Sequence, residues 1–124
     1  MEASDKGVRI FILVDAFGSS DFSEEMIQKL ATHRIQFEFF TPLINLKNIG
    51  RRLHQKVLNI DNKIALIGGI NLSEEFNQKY NPWLDYACCI EGEEVHHVYQ
   101  QTIPLFLSHF KTHKIELLSF NELT

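Results

Sequence analysis

Cysteine is scarce in this chain, with two among 124 residues, which excludes a disulfide-stapled scaffold. Cys88 and Cys89 are adjacent. Neighbours on a strand point to opposite faces, so a bridge between them would strain the backbone. Both are expected to be reduced thiols in a cytosolic setting, used as small buried apolar filler. Proline (3) and glycine (6) are too few for a collagen-like or low-complexity chain. No apolar run approaches the length of a membrane span. Met1 is followed by Glu, Ala, Ser and Asp, not by the basic region and apolar run of a secretory leader. On its own sequence the chain is expected to be soluble. Positive charge is also in short supply. The net charge of −4 argues against a general nucleic-acid binder, which is normally basic.

What remains is ordinary globular material. Apolar residues make up 44% of the chain and ten of them are phenylalanines, enough for one domain with a core and too little chain for two. Val8–Val14 is a continuous apolar run rich in β-branched residues, as in a central strand covered on both faces. Asp21-Phe22-Ser23-Glu24 reads as a capping box opening a helix, with Phe22, Met26, Ile27 and Leu30 on one face. Gln36–Phe40 reads as a second strand, followed by a long loop broken at Pro42 and Gly50. His54–Ile60 reads as a strand, Asp61-Asn62 as a tight turn and Lys63–Ile67 as the hairpin's return. A short helix is expected from Asn71, a polar loop to Pro82 and a strand over Leu84–Glu91. A helical pattern then runs from Glu93 to Phe110, kinked or split at Pro104, and a short edge strand is expected over Lys114–Phe120. The class is α/β, a mixed β-sheet flanked by helices.

The chemistry concentrates in one stretch. His54 and Lys56 are two apart on a strand, so both side chains emerge from the same face. A histidine there can attack phosphorus, and a lysine beside it can neutralise the phosphoryl oxygens. Asn71, from the next segment, adds amide donors. Lys47, Arg51, Arg52, Lys56 and Lys63 gather around this stretch with only Asp61 opposing them, forming an anion-attracting mouth. His109 and His113 have the spacing of metal ligands on a helix, but no further ligand accompanies them, and no metal is expected.

His54-Gln55-Lys56, then Asp61, then Gly68-Gly69-Ile70-Asn71 resembles the phospholipase D superfamily signature H-x-K-x4-D-x6-G-[GS]-x-N, without gap or insertion. Its surroundings resemble the first catalytic half of bacterial cardiolipin synthases. These are Gly7-Val8-Arg9-Ile10 leading to Asp15 and Gly18-Ser19, then Phe37–Pro42 and Pro82-Trp83-Leu84-Asp85, running into Ile90-Glu91-Gly92. The likeness covers roughly residues 6–110. Leu53 and Gln55 stand where that family commonly has asparagine and a second arginine, a difference that bears on headgroup preference. Gly69 stands where many superfamily members carry serine.

The resemblance implies a phospholipase D-like half domain over residues 1–124, without its first strand and helix, and a parent enzyme in which two signatures meet. His54 would be the nucleophile, forming a phosphohistidine, and a histidine of the second half would serve as acid and then base. Lys56 and Asn71 would bind phosphoryl oxygens, and Asp85 would orient the His54 ring. Arg52 and Gly69 would line the substrate, while Asp61 and Gly68 would serve the hairpin and the close backbone approach. No cofactor is implied. The implied partners are a phospholipid and the second half, in the same polypeptide or in a second copy, at the cytoplasmic face of a membrane, with no nucleic acid. Two other readings stay open: a homodimeric phosphodiesterase or nuclease, against which the acidic balance counts, and a catalytically silent interaction module.

Overall fold

A strand, a crossover helix and a second strand open the fold. In the computed structural model, which describes residues 1–40, 52–71 and 84–110, β1 is Phe11–Asp15, α2 is Glu24–Thr32 and β2 is Gln36–Phe40, preceded by a short α1 at Glu2–Asp5. The loop expected over 41–51, the helix and loop expected after Asn71, Trp83, His113 and the edge strand expected over 114–120 lie outside the described residues. β1 and β2 pair in parallel, Phe11 with Gln36 through Asp15 with Phe40. A parallel pair needs a crossover, and α2 supplies it. The helix starts at Ser23, whose hydroxyl accepts the Met26 N–H at 3.2 Å. The cap is therefore Ser23, two residues later than the expected capping box, because it is the Ser23 hydroxyl that reaches an orphan N–H of the first turn.

Two compact units divide the chain, one holding Met1–Leu53 with the chain from Phe106 onward, the other His54–Leu105. In the first, Leu30, Ile35, Phe40 and Phe110 are buried. Phe11 meets Phe110 edge-on, with ring centroids 5.7 Å apart, and Phe40 lies 5.0 Å from the His109 ring. Ser4 donates to the His33 carbonyl, and His33 Nδ1 lies 2.7 Å from Asp5 Oδ1, tying α1 to the end of α2. The strand expected over Val8–Val14 is shorter, and β1 is only half-buried throughout, because β2 alone flanks it among the described residues.

The second unit is built on an antiparallel sheet, β3 (Lys56–Ile60), β4 (Ile64–Gly68) and β5 (Ala87–Glu91), in that spatial order. The sheet class is α/β with both parallel and antiparallel pairing, as expected, but the two kinds of pairing fall in separate sheets. Asp61 and Asn62 make the hairpin turn with φ of 51° and 53°. Both central residues are left-handed, the geometry that matches the strand twist and favours Asn and Asp. Lys63 N–H closes the turn on the Ile60 carbonyl at 2.9 Å, and Asn59 Oδ1 braces it by accepting Asn62 N–H at 3.0 Å. The side-chain brace comes from Asn59, one residue before the strand's end.

One expectation fails in this unit. Cys88 and Cys89 are free, but both are exposed and not buried filler. Cys89 pairs with Leu66 and Cys88 with Ile67, and these partners are exposed as well, so neither side of the sheet closes over the thiols among the described residues. Of the kink or split expected at Pro104, the split does not occur: α3 runs unbroken over Glu94–His109 with Pro104 inside it. Proline removes one backbone donor, and the turns on either side carry the helix across that gap.

Candidate active site

The sheet register brings the two ends of the signature together. Lys56 faces Gly68, and Gly68 faces Ala87. The start of β3, the end of β4 and the entry to β5 therefore lie side by side. His54 leads into the first of these, Gly69 follows the second and Asp85 leads into the third. Asp61 sits at the opposite end of the five-residue hairpin, roughly 16 Å of strand away. Its place suits the turn and takes it out of reach of the chemistry.

His54 itself is exposed and precedes the strand, which begins at Lys56. Lys56 is half-buried, and its Nζ donates to the His54 carbonyl at 2.8 Å. One of three ammonium donors is thereby spent, and the charge is held within two residues of the imidazole. Asn71 is exposed, two residues beyond Gly69.

Asp85 is held by Gly69, whose N–H donates to Asp85 Oδ2 at 3.2 Å. A Cβ on Gly69 would come within 2.7 Å of Asp85 Oδ1, so glycine is what admits the carboxylate here. At Gly68 a Cβ would stand 3.3 Å from that of Ala87. Among the described residues no hydrogen bond joins Asp85 to His54. β4 lies between their strands, which sets the two backbones about 10 Å apart.

Arg52 belongs to the first unit, and its guanidinium is engaged. Nε donates to Asp15 Oδ2 at 2.7 Å, and the group sits 4.5 Å from the centroid of the Phe17 ring, a cation–π distance. Asp15 also accepts Gly18 N–H at 2.8 Å and Leu53 N–H at 2.9 Å. Burial pushes the Asp15 carboxyl up, but the Leu53 and Gly18 N–H groups and the Arg52 guanidinium outweigh it and leave the pKa lowered. Sequence reading passes over Asp15 as a site residue. The available signal is an aspartate ending an apolar strand just before Gly18; its partners lie 37 and 38 residues on.

No helix among the described residues is long and apolar enough to cross a membrane. Comparison with known proteins supplies the remaining evidence. The family described as "Cardiolipin synthase, PLD-like domain" matches residues 1–104. Cardiolipin synthase B of Salmonella typhi is 37% identical over 106 residues, covering 81% of this chain and 26% of the relative. Its counterpart in Escherichia coli K12 is 36% identical over the same shares. A cardiolipin synthase of Geobacillus kaustophilus is 35% identical over 101 residues, 77% of this chain and 20% of its own length. The chain thus spans about a quarter or less of the curated relatives it matches. No solved structure matches it. With both ends of the signature side by side in the sheet and the family match running over most of its length, the chain belongs to the cardiolipin synthase family of phospholipase D-like domains.

Proposed function

We propose that this chain supplies one catalytic half of a phosphatidyltransferase that moves a phosphatidyl group from one phospholipid to an alcohol, such as the glycerol end of phosphatidylglycerol. The observation that carries the reading is the convergence of the segments bearing His54, Lys56, Gly69 and Asp85 on one edge of the β3-β4-β5 sheet. A ring nitrogen of neutral His54 attacks phosphorus. The N–P bond forms, the P–O bond to the leaving alcohol breaks, and a histidine of the second half protonates the departing oxygen. The incoming alcohol then gives its proton to that histidine and attacks phosphorus, and the N–P bond breaks to restore His54. Lys56, with two donors left, and the Asn71 amide stabilise the charge on the non-bridging oxygens. Asp85 fixes the tautomer of His54. Gly69 admits that carboxylate. The substrate is a membrane lipid, so the enzyme acts at a membrane surface, on its cytoplasmic face.

The test compares this chain alone with the full-length enzyme that carries it, using a chromogenic phosphodiester and phosphatidylglycerol vesicles. The chain alone should be inactive even at concentrations that populate a dimer, and the full-length enzyme should turn over and lose activity in His54→Ala. Robust turnover by the chain alone, abolished by His54→Ala, would assign the second half to another copy of this chain. Full activity of the His54→Ala enzyme would end the proposal.

A further inference from the structure

We propose that Asp15 is a positioning residue for this reaction: its carboxylate clamps Arg52 and Leu53 and so fixes the chain at the point where it delivers His54. The inference rests on the phosphatidyl-transfer reading for its catalytic consequence, and on geometry for the clamp itself.

Both carboxylate oxygens are in use. Oδ2 accepts Gly18 N–H at 2.8 Å and Arg52 Nε–H at 2.7 Å, and Oδ1 accepts Leu53 N–H at 2.9 Å. Hydrogen bonds to an ionised acceptor are about twice as strong as neutral ones. The Asp15 side chain is only 11% exposed, and its bond to Leu53 N–H is partly buried. The bonds reach from the end of β1 across 38 positions of sequence to the residue immediately before His54. They fix the backbone there, where no strand pairing does, since β3 begins only at Lys56.

Arg52 is held from two directions at once, by Asp15 and by the face of Phe17. A single bond leaves a guanidinium free to pivot, whereas a bond and a stacked ring set its plane. Phe17 is 79% exposed, so covering the guanidinium is what it does at this place, not filling a core. Gly18 completes the arrangement, since a Cβ there would lie 3.0 Å from Arg52 Nη2 and 3.1 Å from Asp15 Oδ2. The cluster is closed to any side chain at that position unless the ion pair moves.

Two substitutions attack the clamp by different routes. Asp15→Asn keeps an acceptor for Leu53 N–H but turns an amide NH2 toward Gly18 N–H and Arg52 Nε–H, setting donors against donors. Gly18→Ala leaves Asp15 in place and pushes on the ion pair. The first readout is amide hydrogen exchange in the full chain. Leu53 should exchange about tenfold faster or more in both variants, while Ala65, buried in β4, should keep its protection. The second is steady-state kinetics of the full-length enzyme on phosphatidylglycerol vesicles. kcat should fall about 10- to 100-fold, the scale of a misplaced reacting group, with KM little changed. A carboxylate that only stabilised the loop would lower the melting temperature and leave kcat of the folded enzyme intact.

Unchanged Leu53 exchange in both variants would overturn the clamp. Faster exchange with unchanged kcat would overturn its positioning role. Should the unsubstituted enzyme show no phosphodiester turnover, the functional reading fails by itself, and Leu53 exchange still decides the clamp. If Asp15→Asn does not fold, Gly18→Ala carries both readouts.

Discussion

The two units of the chain are stabilised in different ways. The first has a core: Leu30, Ile35, Phe40 and Phe110 are each 8% exposed or less, and phenylalanine rings pack on one another between β1 and the chain beyond α3. Among the described residues of the second, only Ala65 and Val95 are fully buried. Its apolar strand residues Leu58, Ile60 and Leu66 are 52%, 43% and 38% exposed among the described residues, on the same sheet face as Lys56. Among the described residues, hydrogen-bonded ladders and turn chemistry specify this sheet more than side-chain burial does. The first unit is held by burial and the second by register. The bonds of Asp15, within the packed unit, end on Leu53, the residue before His54 in the chain.

That comparison predicts where substitutions cost rate and where they cost stability. The largest effect belongs to His54→Ala, which should lower turnover of the full-length enzyme by roughly 10⁴-fold or more while leaving the melting curve of this chain unchanged. Adding Asp85→Asn to it should cost little more, because residues acting as one unit are non-additive. Leu30→Ala should destabilise by about 2–5 kcal/mol in urea unfolding. Leu58→Ala should fall within about 0.5 kcal/mol of the unsubstituted chain; equal losses at the two leucines would erase the distinction between the units. Gly69→Ala should displace the Asp85 carboxylate, lowering kcat by roughly tenfold through the tautomer of His54, with a stability change under about 1 kcal/mol because the flexible carboxylate can yield.

Acid should separate the units further. The Asp15 pKa is lowered from the ordinary aspartate value of 3.8, so its contribution to stability is fully present above that value. The contribution is lost only as pH falls through the lower value of the folded state. Leu53 protection followed against pH should persist below 3.8 and then collapse, and Asp15→Asn should remove the collapse. The smallest effect is expected from a chelator, which should leave turnover nearly unchanged if, as proposed, Lys56 and Asn71 with counterparts in a second half supply the positive charge and donors. A loss restored only by zinc or magnesium would count against that assignment.

Much of the site was legible because its determinants are local. His54, Lys56, Gly68 and Gly69 come together through a two-residue turn, and Asp61-Asn62 announces that turn by residue type alone. Hairpin register then carries Lys56 to Gly68 without any long-range information. Where distant partners decide, the sequence was silent. Asp15 reads as the end of an apolar strand until Arg52 and Leu53 arrive from far along the chain. The cysteines were expected inside because free cysteine is commonly buried, but their exposure depends on what covers the sheet. At Pro104 residue type leaves a kink or a split open, and the continuous helix excludes the split. The four residues of α1 are too few to show any helical period.

The most direct test of the account is a rapid-quench experiment under alkaline conditions, which preserve phosphohistidine, using the full-length enzyme and phosphatidylglycerol carrying a labelled phosphate. Mass spectrometry of the digested protein should find the phosphatidyl adduct on the peptide containing His54, forming at least as fast as product appears, and absent from His54→Ala. Turnover with no adduct on that peptide, or an adduct on another residue that forms at the rate of turnover, would contradict it.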